Sequence, residues 1–331
     1  MTAIAIIGHG DMGRTHARAW SELGLGASIK YICGRRPQMI SDAPRARLVS
    51  EFQTVLDDGE VDMVSVCTPT PSHADFAIRA LQAGKNVLLE KPIALSVDDA
   101  MRILAASVGG PTLMVGQVAN FARSSELLRA SVQSGELGTV LSARSSRMIT
   151  RPEAAWWHDK EMSGGLLVDL ACHDFDQING LLGEPLAVTC HGSAPTGPVE
   201  TSVEYRSGAI AQILTTASIF GRGPFIHQVQ LVGTDGVAQV DSVRWPAGPQ
   251  FPAEINTYRI LKGSHCSTVR IDDPPGSSYT REVAYFLECS REGRQPEHPT
   301  TASAIRALET ALLAAQSQTL GHRMPYESCV P

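Results

Sequence analysis

The sequence predicts an α/β protein: an N-terminal doubly wound parallel sheet followed by an α+β domain with a large, mostly antiparallel sheet. Three observations predict it. Up to about residue 118, continuous apolar runs such as Ala3-Ile4-Ala5-Ile6-Ile7 alternate with helical segments, as strands buried on both faces of a parallel sheet do. Beyond 118, short segments with period-two alternation and turn signals dominate. The length of 331 residues suits two domains at roughly 100–200 residues each, placed at 1–118 and 119–331.

The first strand, 3–7, runs straight into Gly8-His9-Gly10-Asp11-Met12-Gly13 and a helix bearing Ala17, Ala19, Trp20 and Leu23. A second strand, Ala27 to Cys33, ends at Gly34-Arg35-Arg36-Pro37. Residues 61–67 and 86–89 are further strands, and the helix between them, 74–83, stops at Gly84. A helix at 97–107 and a strand at 112–117 complete the first domain. The second domain is expected to hold strands at 138–149, 186–192, 199–205, 208–218, 227–233 and 236–241. Tyr205-Arg206-Ser207-Gly208 and Gly233-Thr234-Asp235-Gly236 look like hairpin turns. One long helix, 165–182, is expected to pack on that sheet. A last helix, 302–317, places Ile305, Leu308, Leu312 and Ala315 on one buried face, with nothing to say which domain it joins.

Composition excludes several classes of function. A formal net charge of −6 argues against a nucleic-acid protein, because phosphate binding is driven by clustered Lys and Arg. No apolar run approaches the roughly 18 residues of a membrane span, and the N-terminus lacks the pattern of a secretory signal. Seven cysteines are scattered singly without Cys-x-x-Cys, which suits a reducing compartment. The expectation is a cytoplasmic, soluble protein with neither nucleic acid nor membrane as partner.

Four segments carry chemistry. Gly8-x-Gly10-x-x-Gly13 sits between a buried strand and a helix, the context that gives this motif meaning: a tight turn, close backbone approach to a pyrophosphate, and close helix packing. An acidic residue about 20 positions on would read the ribose of NAD. Here that position is Gly34, followed by Arg35 and Arg36, with no Asp or Glu between Ile29 and Ile40. Two guanidiniums there suit the 2′-phosphate of NADP, or else are simply solvated. NADP is favoured over NAD. The second segment, Thr68-Pro69-Thr70-Pro71-Ser72-His73, follows a parallel strand where ligands of such sheets bind, and Ser72 is a candidate helix cap. Glu90-Lys91-Pro92 ends another strand; Lys91 is either a surface lysine beside a turn or a group that exchanges a proton with a substrate hydroxyl. Finally, Asp169, His173 and Asp176 fall at i, i+4 and i+7 of the 165–182 helix. They read as a solvated stripe or as a proton-transfer histidine flanked by carboxylates. No third ligand stands at a diagnostic spacing, so no metal is expected.

Together these residues resemble the glucose-fructose oxidoreductase / inositol dehydrogenase family, Gfo/Idh/MocA. The likeness rests on Gly8–Gly13 with His16-Ala17, Cys67-Thr68-Pro69 with His73, Glu90-Lys91-Pro92, and Gly164-Gly165-Leu166-Leu167-Val168-Asp169 with His173 and Asp176. Their order covers the whole chain. The resemblance implies a Rossmann domain that binds the dinucleotide through Gly8, His9, Gly10, Asp11, Met12, Gly13, Gly34, Arg35, Arg36, Cys67, Thr68, Pro69, Thr70, His73, Glu90, Lys91 and Gln117. It also implies that Lys91, Asp169 and His173 handle the proton as a secondary alcohol and a ketone interconvert, on a sugar, inositol or related polyol. Asn120, Arg123, Trp156, Trp157, His158 and Tyr279 are the further substrate-side candidates; the tryptophans could equally be core.

Three features depart from the family pattern. Pro37 to Arg45 carries two prolines and little helical pattern; Trp156-Trp157-His158 stands where Trp-Arg is usual; and Gln117–Arg123 fits loosely. A sheet with open edges and a face to cover points to a homodimer or homotetramer. The competing readings are a reductase of a non-sugar substrate such as a diol, and a non-catalytic dinucleotide sensor, which would have no reason to keep Lys91, Asp169 and His173 together.

Overall fold

The computed structural model describes residues 2–193, 195–219, 223–246 and 254–330. The chain forms two compact units: residues up to Phe121 with Pro274–Ile305, and Ala122–Asp273 with Arg306–Cys329. The turning point near 118 is thus close to a unit boundary, but a later segment returns to the first unit.

In the first unit the elements are β1 (Ala3–Ile7), α1 (Asp11–Glu22), β2 (Ile29–Cys33), β3 (Arg47–Val49), α2 (Phe52–Leu56), β4 (Val61–Val66), α3 (His73–Gln82), β5 (Asn86–Glu90), α4 (Val97–Ser107) and β6 (Leu113–Gly116). The strands pair in parallel in the order β3-β2-β1-β4-β5-β6. Chain order reverses between β1 and β4, the switch point where open α/β sheets bind ligands at their carboxyl ends. The apolar runs are buried as expected: Ile4, Ile6, Ile32, Val64 and Leu88 are wholly inaccessible. Between β2 and α2, residues 37–46 hold no helix, so the proline-broken segment stays irregular.

The second unit opens with α5 (Arg123–Gln133), β7 (Val140–Thr150), α6 (Ala155–His158), α7 (Lys160–Ser163), α8 (Gly165–Asp169) and α9 (Cys172–Leu182). It continues with β8 (Pro185–Gly192), β9 (Val199–Tyr205), β10 (Ile210–Ile219), β11 (Phe225–Gly233), β12 (Val237–Arg244), β13 (Ile255–Lys262) and β14 (His265–Arg270). Helix α10 (Ser277–Glu292) belongs to the first unit, and α11 (Thr301–Leu320) and β15 (Met324–Pro325) follow. The nine strands run β14-β13-β12-β11-β7-β10-β9-β8-β15. Only the β7–β10 pair is parallel.

Two expectations need correction. The single helix over 165–182 is broken at Leu170-Ala171, where the N–H groups of both residues share the Leu166 carbonyl at 3.0 and 3.1 Å. Asp169 therefore ends one helix and His173 stands in the first turn of the next, so the two do not share one unbroken helix. On α11, Ile305 and Leu308 are buried but Ala311 and Ala314 continue the stripe, leaving Leu312 and Ala315 half-buried. Most of α11 joins the second unit, where Asn179 Nδ2 donates to Thr310 Oγ1 at 3.0 Å and Ser317 Oγ accepts from the Cys190 amide at 2.9 Å. No helix among the described residues is long and apolar enough to cross a membrane.

Candidate functional site

The turn after β1 is built by its glycines. Gly8 has φ +97°, and a Cβ there would stand 2.5 Å from the Cys67 carbonyl oxygen. A Cβ on Gly13 would meet the Gly8 carbonyl oxygen at 2.1 Å, so helix and turn touch only because neither has a side chain. Gly10 differs: a Cβ there would meet nothing within 4 Å. It precedes α1, whose N-terminus has no side-chain cap. Free amides and the positive end of a twelve-residue helix facing open space fit the pyrophosphate of a dinucleotide. Asp11 is exposed, and Met12 packs on the apolar core.

The carboxyl ends of β4 and β5 stand beside this turn. The Cys67 amide donates to the Ile7 carbonyl at 2.8 Å. His73, inaccessible to within 1%, lies 2.9 Å from the carbonyl oxygens of both Thr68 and Pro92, tying the Thr68-Pro69 loop to the Glu90-Lys91-Pro92 loop. Burial pushes His73 below the usual imidazole range, while the two carbonyls pull the other way. Ser72 is not a cap: its hydroxyl donates to the Pro69 carbonyl at 2.7 Å, and Thr70–Ser72 forms a single tight turn before α3. Thr70 is buried, Thr68 half-buried and Pro69 exposed. Half-buried Lys91 follows β5, and its amide donates to Glu90 Oε2 at 3.1 Å.

Behind Lys91 lies a buried polar cluster that sequence reading missed. Glu90 Oε1 is 2.9 Å from Nε2 of His16, which is wholly buried on α1. Burial opposes the cationic form of His16, but neighbouring Cys67 and Glu90 together hold it well above the ordinary range. Glu282 on α10 is inaccessible and neither of its oxygens has a hydrogen-bond partner. Burial, with Glu90 adding repulsion and His16 opposing, raises it well above the carboxylate range, so it is held as the neutral acid. The only signal in the sequence was a carboxylate one turn from Tyr279 and Phe286 on an apolar stripe. A carboxyl raised on folding favours the folded state below its unfolded pKa of about 4.3, and that contribution is lost as pH rises. Glu282→Met is therefore expected to stabilise the protein by about 1–3 kcal/mol at about pH 8, the usual penalty of an unpartnered buried polar group, and by less at about pH 5. Denaturant unfolding at both pH values checks this; a variant less stable than its parent at the higher pH would show that Glu282 holds the cluster together.

In the second unit, Asp169 accepts a hydrogen bond from the Trp157 indole N–H at 2.8 Å. Trp157 is 5% exposed and stacks edge-on against His158 with ring centroids 5.2 Å apart. Trp157 is thus a support for Asp169 rather than a wall for a ligand, whereas Trp156 is 45% exposed. His158 is exposed, with Nε2 2.8 Å from the Pro152 carbonyl. Next to His173, wholly buried Asp174 accepts from Arg147 Nε at 2.6 Å and from Ser145 Oγ at 2.7 Å. This anchors the first turn of α9 to β7. Asp176 does not belong to an open stripe: it is 3% exposed and interacts electrostatically with Arg129 of α5.

The remaining candidates divide clearly. Arg35 and Arg36, beyond the end of β2, are exposed and form no ion pair among the described residues. Gln117 is 1% exposed beyond β6. Asn120 is buried, with His298 Nε2 at 3.1 Å and the Gln117 carbonyl at 3.4 Å, so it works as a structural link in its own unit. Arg123 is exposed and paired with Glu126 at 2.8 Å. Tyr279 lies in the first turn of α10; burial, with Glu90 and Glu282 nearby, pushes its phenol up.

Comparison with known proteins gives the family. Residues 2–116 match the oxidoreductase family of NAD-binding Rossmann fold, and residues 126–239 match the GFO/IDH/MocA C-terminal domain. Two curated relatives come from Bacillus subtilis (strain 168). The scyllo-inositol 2-dehydrogenase (NAD(+)) is 26% identical over 337 residues, covering 95% of this chain and 93% of that one. The scyllo-inositol 2-dehydrogenase (NADP(+)) IolW is 28% identical over 348 residues, covering 95% and 94%. Among solved structures, levoglucosan dehydrogenase in complex with NADH and L-sorbose shares the fold, with TM-score 0.85, 20% identity and 99% of both chains covered. Both halves of the chain, matched in sequence order, make it a member of the Gfo/Idh/MocA family of NAD-binding oxidoreductases.

Proposed function

We propose that the chain interconverts a secondary alcohol and a ketone on a sugar, an inositol or a related polyol. The observation that carries this reading is that Lys91 and the Gly8–Gly13 turn stand at the carboxyl ends of one parallel sheet. The names of the relatives point to scyllo-inositol and levoglucosan. When bound, the nicotinamide supplies the hydride acceptor or donor. Lys91 and His173 take and return the hydroxyl proton, and Lys91 also stabilises the developing alkoxide. Asp169, fixed by the Trp157 indole, is the third member of this set. Arg123, Trp156 and His158 are exposed and offer a cation and apolar faces to a polyol, while Asn120 and Trp157 are committed to hydrogen bonds within the protein.

NADP is the preferred cofactor, because two unpaired guanidiniums at Arg35 and Arg36 follow a strand end that lacks the ribose-reading carboxylate. The protein acts in the cytoplasm, which seven singly scattered cysteines without a Cys-x-x-Cys suit. One face of the nine-stranded sheet carries a depression of about 450 Å³ lined by Arg144, Gln212, Gln228, Gln230, Gln239 and Asp241 among others. We assign it to a homodimer or homotetramer contact, which light scattering reads directly. The main experiment follows reduced-nicotinamide absorbance across a panel of inositols, sugars and other polyols. At least one is expected to be turned over. No turnover by any of them, with dinucleotide still bound, would favour a sensor and sink the enzymatic reading.

A further inference from the structure

Gly34 is a glycine for an unusual reason. Its φ does not lie in the left-handed region, so its backbone does not require glycine. Space is tight instead: a Cβ there would stand 3.1 Å from Nδ1 and 3.6 Å from Cε1 of the His9 ring, so the ring would have to give by a few tenths of an ångström. The two residues face each other across the β1–β2 pair, where Ile7 is in register with Cys33 and the Gly8 amide donates to the Cys33 carbonyl at 2.8 Å. A dinucleotide-binding sheet carries its ribose-reading carboxylate at this end of β2. Here the imidazole of His9 stands against the position from which such a side chain would start.

The ring is also poised chemically. Nδ1 is buried against Gly34 without a partner, and His9 makes no other side-chain hydrogen bond among the described residues. A buried lone pair is tolerated more readily than a buried orphan N–H, so the neutral ring carries its proton on Nε2. That leaves one N–H donor unused among the described residues, on a ring that stands against Gly34, the residue before the exposed Arg35 and Arg36. A carboxylate here would accept from a free ribose 2′-hydroxyl and repel a 2′-phosphate. A donor does the reverse.

We propose that His9 is a specificity-determining residue for the cofactor, its Nε2–H donating to the 2′-phosphate of the adenosine ribose. The proposal rests on the dinucleotide reading above and deepens it. It explains Gly34 and His9 as a matched pair, with the carboxylate removed from β2 and a donor supplied from the turn after β1.

Calorimetric Kd values for adenosine 2′,5′-bisphosphate and for 5′-ADP test it without any substrate. His9→Ala is expected to weaken the 2′,5′-bisphosphate about tenfold, as loss of a charge-assisted hydrogen bond does, and to leave 5′-ADP within about twofold. Gly34→Asp combined with His9→Ala, which clears the space for the new side chain, is expected to reverse the preference toward 5′-ADP. Equal weakening of both ligands by His9→Ala would mean that the ring only shapes the turn, and would overturn the proposal. Unchanged binding of the bisphosphate would do so too. If neither compound binds the parent protein, the dinucleotide reading falls, and this proposal with it.

Discussion

Methionine in place of Lys91 is expected to lower turnover of a good polyol substrate by about 100-fold or more while leaving the dinucleotide Kd within about threefold. Methionine keeps the length and apolar stem of lysine and removes only the ammonium. The two effects separate because the phosphate-binding features belong to the Gly8–Gly13 turn and α1, whereas Lys91 stands after β5. Its loop is held independently of its side chain: the Lys91 amide is bonded to Glu90, Glu90 to His16, and the Pro92 carbonyl lies 2.9 Å from His73. The loop should therefore keep its course in the variant, which a thermal melt close to the parent's would show. A positioned acid–base group contributes roughly 10²–10⁴-fold, and an ammonium that also stabilises an alkoxide lies toward the upper part of that range. A fall of less than about tenfold, roughly 1.4 kcal/mol in the barrier, would show that another group moves the proton. The split between kcat and Kd matters as much as the size. Loss in both together would place Lys91 in cofactor binding instead.

Much of the first unit was legible because a parallel sheet buried on both faces leaves a loud trace. β1 reads as an unbroken apolar run, β4 and β5 as short segments dominated by Val, Met and Leu, and α4 was placed at its observed bounds. β3 left no such trace, because it is a three-residue edge strand with two exposed residues. β14 is exposed along its whole length and β13 buries only Asn256 and Tyr258, so neither shows the alternation of a half-buried strand. The site was legible wherever backbone sterics dictated the residue, as at Gly8 and Gly13. It was not legible where two distant side chains make one feature. Nothing in the local sequence relates His16 to Glu90, or Asp174 to Arg147 and His227, since each pairing depends on tertiary approach. The break at Leu170-Ala171 was equally hidden: both residues are good helix formers, and packing rather than propensity interrupts the turn.

Asp174→Ala is expected to destabilise the second unit by about 3–5 kcal/mol, because it leaves a buried cation without its counter-charge. Arg147 is 5% exposed and Asp174 not at all; Arg147 Nε and Nη2 donate to its two oxygens at 2.6 and 3.3 Å. Nε2 of buried His227 lies 3.4 Å away on the same carboxylate. Burial alone would push Asp174 up, but Arg147 and His227 more than offset it and hold the carboxyl well below the usual range. A group depressed in this way contributes its stability above the unfolded pKa of about 3.9 and loses it as pH falls through the folded value. The gap between parent and variant should therefore be full at about pH 7 and narrow only in strong acid. At roughly 2–4 °C per kcal/mol for a unit of this size, the melting temperature should drop by about 10 °C. A loss below about 1 kcal/mol would mean that water reaches Arg147 and that the pair is less enclosed than its geometry indicates. Replacing both partners with apolar residues separates stability from placement, since buried ion pairs are often matched or exceeded by well-packed side chains. Asp174→Leu with Arg147→Met should recover most of the lost stability. Asp174 adjoins His173 in the first turn of α9, and its bonds to Arg147 and Ser145 fix that turn to β7 by direction as well as by packing. Recovered stability with turnover still depressed would mean the pair is kept to aim His173; recovery of both would reduce it to an interchangeable part of the core.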